Sequence, residues 1–272
     1  MKQKIIQLIC SDQKGIIAKI TSILYSSGNN ILSIEQHIDN QNNVFYIRLV
    51  VEYGSSNYFP KKDLITLSQN LNANINIFDS KKKINVAILG TKELEPVYDL
   101  FIKNASGELH CNTPILISNH TNLSVIAKKF ESYFYKIENN EELSGILKKE
   151  SIDLVILARY MQLIPANIVA LYKNNIINIH HGFLPAFKGA KPYHQAYNKG
   201  VKIIGATAHY VTNKLDEGPI IAQDILNVNH THSIKDMIRI GRQIEKNVLS
   251  YSVKAHLDHK IIVNKNKTIV FK

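Results

Sequence analysis

Three polar residues of the 272-residue chain have the types and the spacing that acyl chemistry needs. Asn178 and His180 close an apolar run, residues 175–180, that predicts a short strand, and Asp216 follows 36 positions after His180 (216 − 180). Side chains two apart in a strand point the same way, so an amide donor and an imidazole would lie side by side. Fixed donors aimed at one point stabilise an oxyanion as its charge develops. These residues therefore predict a site at which a carbonyl group is attacked.

Asp216 lies in Leu215-Asp216-Glu217-Gly218-Pro219, a turn-forming segment between two apolar runs. A carboxylate at this place could orient the imidazole of His180 or take a proton from the attacking nucleophile. The structural alternative is that Asn178 caps a loop, His180 is an ordinary strand-end histidine and Asp216 is a turn residue. Spacing alone favours this alternative, because a single short motif is often matched by chance.

The elements that must position these residues have the pattern of a parallel α/β sheet. From residue 84 onward, buried-type strands alternate with amphipathic helices. The predicted strands are 84–89, 114–118, 132–136 and 152–158, and the predicted helices are 123–129 and 141–149. This alternation implies a largely parallel, Rossmann-like sheet with helices on both faces. Sites in open sheets of this kind lie at the carboxyl ends of strands, where Asn178 and His180 are expected.

The rest of the second half continues in the same style. Lys191 and Pro192 predict a helix start, and Ser233 is expected to cap a long helix ending near His256. Further strands are predicted at 201–204 and 207–211, as one strand or two, then at 220–228, with a closing hairpin of 261–263 and 268–271.

The first 80 residues predict a different arrangement. Strands are expected at 3–10, 31–39, 43–53 and 74–78, and helices at 16–25 and 61–71. The resulting order, β-α-β-β-α-β, is that of the ferredoxin-like motif. Residues 81–83 follow as a charged linker, so we predict one domain over 1–80 and a second over 84–272.

Motifs around the three polar residues resemble those of the folate-dependent formyltransferases. The motifs are Asn178-Ile179-His180, Leu184-Pro185-Ala186-Phe187 and Leu215-Asp216-Glu217-Gly218-Pro219-Ile220-Ile221. Three further stretches look like the formyltetrahydrofolate deformylases in particular: Ala158-Arg159-Tyr160-Met161-Gln162, residues 188–197 and Gly205-Ala206-Thr207-Ala208-His209-Tyr210. The resemblance covers nearly the whole chain.

The resemblance implies hydrolysis of 10-formyltetrahydrofolate to formate and tetrahydrofolate, which supplies formate for purine synthesis and balances the one-carbon folate pools. Asn178 and His180 would hold the formyl oxygen, and Asp216 would activate water directly or through His180. The folate is the substrate, and no cofactor or metal is expected. The rival functions are a formyltransferase with an amine acceptor, and a folate or amino-acid sensor with weakened chemistry.

The resemblance also implies where the folate binds. The expected folate-binding residues are Arg159, Tyr160, Met161, Gln162, Leu163 and Val211. The expected supporting residues around the site are Thr207, His209 and Gly182. The alternative for Tyr160 and Met161 is a place in the core, which is usual for an aromatic residue and a methionine.

The first domain resembles the ACT domain, which in its family often binds an amino acid at a subunit interface near the turn after the first strand. In this chain that turn is Asp12-Gln13-Lys14-Gly15. A small amino-acid regulator and a homo-oligomer are therefore implied. The alternative is that Gly15 only permits a tight turn and Asp12 only caps a helix.

The first turn of the second domain, residues 90–96, indicates which molecule accepts the formyl group. Superfamily transferases that act on a phosphorylated amine resemble one another in a Gly/Ser/Asn-rich turn whose N–H groups hold the phosphate. Here Glu93 and Glu95 would repel a phosphate, so water becomes the expected acceptor. The chain departs from the deformylase pattern in this turn and at Gly182, where the family typically has serine.

Bulk composition narrows the class of protein. The chain carries a net charge of +11, and residues 1–80 hold 7 Lys and Arg against 6 Asp and Glu, so the remaining 26 against 16 lie beyond. A basic second domain suits an anionic folate; scattered lysines without a recognised motif argue against nucleic acid. The sequence has no apolar run of 18 residues and does not start like a signal peptide. Cys10 and Cys111 are expected to be reduced. We therefore expect a cytoplasmic protein without a membrane partner.

Overall fold

The protein is described by a computed structural model that covers residues 2–54, 58–186 and 192–272. The chain divides into two compact units. The first consists of Met1–Lys82, Asp258–Ile262 and Ile269–Lys272, and the second consists of Lys83–Leu257 and Val263–Thr268. Two C-terminal segments that the sequence assigned to the second domain thus belong to the first unit.

The first unit has the predicted order of elements. They are β1 (Lys2–Ser11), α1 (Ile16–Ser26), β2 (Asn30–Asp39), β3 (Val44–Tyr53), α2 (Lys61–Asn70) and β4 (Asn74–Asp79). Within the described residues the four strands form one sheet in the order β2-β3-β1-β4, and every pair is antiparallel. Helix α1 buries Ile16, Ile20 and Leu24, whose spacing of four residues forms a single apolar stripe against this sheet.

The turn between β1 and α1 is open to solvent. Gly15 lies at the start of α1 with φ of +85°, a left-handed conformation that glycine adopts at little cost. Gln13, Lys14 and Gly15 are exposed, and among the described side chains none forms a capping hydrogen bond at this helix end. Asp12 therefore does not serve as the helix cap that the structural alternative assigned to it.

Buried polar groups explain why the C-terminal segment belongs to the first unit. The Arg48 guanidinium donates to the carbonyl oxygens of Asp258 at 2.9 Å and of His259 at 2.8 Å. The Gln7 amide donates to the carbonyl of Ile261 at 3.1 Å. These bonds join residues more than 200 positions apart, which a local sequence pattern does not reveal.

The second unit is built on a sheet that is mostly parallel. Its strands are β5 (Val86–Gly90), β6 (Ile115–Ser118), β7 (Phe134–Lys136), β8 (Leu154–Ala158), β9 (Ile176–His180), β10 (Ile203–Tyr210) and β11 (Ile220–Asn227). Across the described ranges their order is β11-β10-β9-β8-β5-β6-β7, with β5 to β9 parallel and β10 antiparallel to both of its neighbours. The expectation of a largely parallel α/β sheet is confirmed.

Helices connect these strands. They are α3 (Leu94–Ala105), α4 (Ser124–Lys129) after a 3₁₀ turn, α5 (Glu141–Lys149), α6 (Ala166–Leu171), α7 (Pro192–Asn198) and α8 (Ile234–Leu257). The short helix α6 was not predicted. Ser233 Oγ accepts from the Asp236 N–H at the start of α8, as expected of a cap. Strands β12 (Ile261–Asn264) and β13 (Lys267–Val270) form the expected hairpin. None of the helices in the described part of the chain has the length and apolar character needed to span a membrane.

Strand register brings the polar residues of interest into one row. Asn178 on β9 is aligned with Leu157 on the parallel strand β8. On the other side, β10 runs antiparallel, so Asn178 is paired with His209 and His180 is paired with Thr207. Because residues paired across antiparallel strands point to the same face, His209 lies beside Asn178.

Two glycines of the second unit differ in the space around them. A Cβ on Gly218 would lie 1.7 Å from the carbonyl oxygen of Tyr210, whereas a Cβ on Gly145 in α5 would meet no described heavy atom within 4 Å. We expect Gly218→Ala to destabilise the fold by about 1–3 kcal/mol, because the backbone must move apart. Gly145→Ala, the matched control, should stabilise it by about 0.5–1 kcal/mol through helix propensity. Urea unfolding midpoints check both, and shifts of the same sign would contradict this packing.

Candidate active site

Asn178, His180 and Asp216 lie together at the carboxyl end of β9. His180 Nδ1 is 3.3 Å from Asp216 Oδ2, and both side chains are almost completely buried. Asn178 Nδ2 is 3.2 Å from His209 Nε2, and that ring nitrogen is 3.7 Å from Asp216 Oδ1. The structure therefore brings the three residues singled out in the sequence into one cluster and adds His209 to it.

The loop between β10 and β11 presents Asp216 to this cluster. Its two ends are tied to the sheet, since the Val211 N–H donates to the Ile176 carbonyl and the Tyr210 N–H donates to the Pro219 carbonyl, both at 2.9 Å. Asp216 has a φ of +55°, a left-handed conformation that aspartate tolerates better than most residues. This local geometry directs a buried carboxylate between two histidines.

His209 fixes the orientation of the Asn178 amide. His209 Nδ1 is 2.9 Å from the carbonyl oxygen of Tyr210, which can only accept, so Nδ1 carries a hydrogen. In the neutral ring Nε2 is then an acceptor, and Asn178 Nδ2 donates to it. An amide nitrogen has two hydrogens, so this bond leaves Asn178 able to donate a second one.

A cavity of about 270 Å³ opens beside the cluster. Of the expected folate-binding residues, Tyr160, Gln162, Leu163 and Val211 line it. The cluster contributes Asn178, His209 and Asp216. The lining residues that sequence reasoning missed are Leu157, Ile164, Ala166, Thr212, Asn213, Lys214 and Leu215. Residues 212–215 directly precede Asp216 in the same loop. Because this loop brings Asp216 to the cavity, its preceding residues border the cavity as well.

The cavity wall, defined as residues 160–163, is held by hydrogen bonds. The Tyr160 hydroxyl donates to Asn140 Oδ1 at 2.6 Å, and the Asn140 amide donates to the Leu163 carbonyl at 2.7 Å. Burial raises the pKa of Tyr160 to about 12, so its hydroxyl keeps its hydrogen at neutral pH. Tyr160 thus lines the cavity and is also buried, so it combines the cavity position expected of a folate-binding residue with the core position that was the alternative.

The side chains of Arg159 and Met161, two of the expected folate-binding residues, make contacts outside this cavity. The Arg159 guanidinium pairs with Glu245, at 3.1 Å to Oε2, and the Met161 side chain is 61% exposed. The Met161 N–H donates to Thr91 Oγ1 at 3.1 Å. Neither is among the described residues that line the cavity, whereas Tyr160, Gln162 and Leu163 of the same segment are.

Thr207 and Gly182 support the turn that follows β9. Thr207 is fully buried; its hydroxyl donates to the Gly182 carbonyl at 2.9 Å and accepts from the Leu184 N–H at 3.0 Å and the Gln223 amide at 3.0 Å. The expected supporting residues therefore differ, since His209 reaches the cluster itself whereas Thr207 holds the turn. Residues 187–191 of the family-like motif lie outside the described residues.

A second opening borders the same carboxylate. A cavity of about 540 Å³ is lined by Asp216 and Glu217 from the loop, by Leu184 and Pro185, and by Lys267 with its neighbours in the closing hairpin. Asp216 therefore borders both cavities. His181, the neighbour of His180, is partly buried, and its desolvation lowers its pKa to about 3, so its ring is neutral at physiological pH. In the described ranges no group of three or more His, Cys, Asp and Glu side chains could hold a metal ion.

Comparisons with known proteins agree with this geometry. Residues 84–253 match the family model described as formyl transferase. A formyltetrahydrofolate deformylase from Synechocystis sp. is 41% identical to this chain over 96% of both chains. One from Haemophilus influenzae is 40% identical to it over 99% of both chains. The crystal structure of a formyltetrahydrofolate deformylase from Pseudomonas syringae pv. tomato has a TM-score of 0.96 at 36% identity, covering 100% of this chain and 95% of that one. The chain therefore belongs to the formyl transferase family and, within it, to the formyltetrahydrofolate deformylases.

Proposed function

We propose that the protein hydrolyses 10-formyltetrahydrofolate to formate and tetrahydrofolate, with the folate in the cavity beside Asn178. The observation that carries this proposal is the cluster of Asn178, His180 and Asp216 next to that cavity. An amide donor, an imidazole and a carboxylate within a few ångströms are the groups that attack on a formyl carbon requires. The names of the relatives denote the same reaction.

In the proposed reaction, water adds to the formyl carbon and the electrons of the C=O bond move to the oxygen. Asn178 and His180 donate to that oxygen and stabilise its charge. Asp216 accepts the proton of the attacking water, directly or through His180, to which it lies at 3.3 Å. The oxyanion then re-forms the C=O bond as the bond from the formyl carbon to N10 breaks, and N10 takes the proton that Asp216 had accepted. Formic acid and tetrahydrofolate are released, and the acid loses its proton to water to give formate.

Water is the acceptor that the surroundings of the site favour. Glu93 precedes α3 and lies 3.0 Å from the guanidinium of Arg242, whose charge it offsets, and Glu95 follows in the first turn. Carboxylates at a helix start oppose the binding of a phosphate, so a phosphorylated amine is disfavoured. The second cavity reaches Asp216 from another direction and offers water a route to it.

The role of the protein in the cell follows from the proposed reaction, and the state of its cysteines bears on its location. Release of formate supplies purine synthesis, and release of tetrahydrofolate balances the one-carbon folate pools. The basic second domain, with Lys214 on the cavity rim, suits a folate that carries anionic glutamates. Buried free thiols at Cys10 and Cys111 are in keeping with the cytoplasm.

We further propose that the first unit is an ACT-type, ferredoxin-like domain that binds a small amino acid at the turn of residues 12–15 and joins copies of the chain into a homo-oligomer. The order of elements and the antiparallel sheet support the first part. The edge strand β2 exposes Leu32, Ile34 and Ile38, and an exposed apolar edge favours pairing with another chain.

Incubation of the purified protein with 10-formyltetrahydrofolate, without any amine, should release formate and tetrahydrofolate in equal amounts. Water alone completes the proposed reaction, so an added amine should not raise the rate. Formate and tetrahydrofolate are quantified in the same sample. Binding of the folate without turnover would point to a sensor, and turnover only with an amine would point to a transferase.

Substitutions in the cluster should lower turnover without unfolding the protein. Removing one oxyanion donor costs on the order of a hundredfold or more, so we expect Asn178→Ala to lower kcat by at least that factor. His180→Ala and Asp216→Asn should have effects of similar size. Asp224→Asn, an exposed carboxylate on β11, is the control and should retain wild-type kcat. Near-normal turnover in any of the three cluster variants would remove that residue from the mechanism.

Calorimetric titration of the protein with single amino acids should give a saturable heat for at least one small amino acid. Lys14→Ala and Asp12→Ala should weaken that binding, because both residues belong to the exposed turn. Light scattering in the same buffers reports the oligomer. The absence of heat with all twenty amino acids would count against regulation at this turn.

A further inference from the structure

We propose that the buried ion pair between Arg159 and Glu245 is a positioning device that sets the place of the cavity wall, residues 160–163, and thereby the affinity for the folate. Neither residue lines the cavity in the described part of the chain. The proposal deepens the proposed function and rests on it.

The ion pair joins the end of β8 to the middle of α8. Arg159 Nη1 lies 3.1 Å from Glu245 Oε2 and 3.3 Å from Oε1, so one guanidinium nitrogen faces both carboxylate oxygens. The side chain of Glu245 is 3% exposed and that of Arg159 is 15% exposed. A buried carboxylate thus fixes the partly buried side chain of Arg159, which directly precedes the wall residue Tyr160.

The backbone at Arg159 needs such an anchor. Its φ is +60°, in the left-handed region that residues with a side chain avoid unless the surrounding structure holds them. This turn of the backbone lets the chain leave β8 and places Tyr160 and Gln162 towards the cavity. The side chain of Arg159 ties this conformation to α8, in addition to the hydrogen bonds that the wall residues make with Asn140 and Thr91.

The Glu245 carboxylate has a second hydrogen-bond partner besides Arg159. The Tyr193 hydroxyl on α7 donates to Glu245 Oε1 at 2.6 Å. One turn earlier on α8, a Cβ on Gly241 would lie 2.0 Å from the Tyr193 hydroxyl oxygen, so glycine leaves the room that this bond requires. The Tyr193 ring also packs against His181, with ring centroids 5.9 Å apart. Arg159, Glu245 and Tyr193 therefore form one hydrogen-bonded group. It adjoins the cavity wall through Arg159 and packs against His181, the neighbour of His180, through Tyr193.

Stability alone is a poor reason for this arrangement. Burial raises the pKa of Glu245, and the nearby Arg159 charge opposes that shift, which shows how far the carboxylate depends on its partner. Buried ion pairs often add little stability relative to apolar residues of the same size, because both charges lose their hydration. What a fixed pair does provide is a defined geometry, and here that geometry lies directly before the cavity wall.

The test separates binding from chemistry. In Glu245→Gln and in Arg159→Met, we expect KM for 10-formyltetrahydrofolate to rise by about tenfold while kcat stays within about threefold of wild type. The calorimetric Kd for tetrahydrofolate, the product, should rise by a similar factor. Arg159→Lys should recover part of the affinity, because it keeps the charge but not the fork of the guanidinium.

Two further variants guard against loss of folding. The double variant Arg159→Met with Glu245→Gln leaves no unpaired buried charge, and its KM should be no higher than that of the worse single variant. Lys103→Met is the control, since Lys103 also ties a helix to α8, through Ser250 at 2.6 Å, and pairs with Asp99 at 3.6 Å. We expect wild-type KM and Kd for it.

Wild-type KM and Kd in the folded double variant would overturn the proposal. So would equal changes in the Lys103→Met variant, or a fall in kcat at unchanged KM. Failure of the wild-type protein to release formate would instead contradict the proposed function, whereas the tetrahydrofolate Kd values would still report on the ion pair.

Discussion

The arrangement of the second unit depends on one buried carboxylate, that of Asp216, whose Oδ2 faces His180 Nδ1 at 3.3 Å and whose Oδ1 lies 3.7 Å from His209 Nε2. A buried charge is costly unless polar groups face it, so the sheet must supply those groups. It does so because β9 and β10 are antiparallel neighbours, which puts histidines of two strands on one face. The parallel strands before them provide the rigid base on which that pair is built.

Much of this could be predicted from the sequence, because the signals are local. Short, mostly apolar runs rich in β-branched residues located β5, β8 and β9, and Ser233 located the start of α8. The spacing of Asn178 and His180 already placed both on one side of a strand end. His209 was expected near the site as a supporting residue, but its contact with Asn178 could not be predicted, because it depends on the register between β9 and β10, and that register is set by contacts across some thirty intervening residues.

The remaining differences also arise from long-range contacts. Arg159 was expected to bind the folate; its guanidinium pairs with a carboxylate 86 positions later, at Glu245, and it is not among the described residues that line the cavity. The end of the chain was assigned to the second domain, yet Arg48 and Gln7 bind its backbone within the first unit. In both cases the deciding partner is polar, buried and distant in sequence, so neither periodicity nor residue type near the site could indicate it.

The two cavities that meet at Asp216 have a consequence for ligand design. A compound confined to the cavity beside Asn178 would compete with the proposed folate alone and leave the second cavity open. A compound with a cationic linker at Asp216 would extend into both cavities and also exclude the water of the proposed reaction. Selectivity could then be sought in the hairpin residues around Lys267, which border only the second cavity.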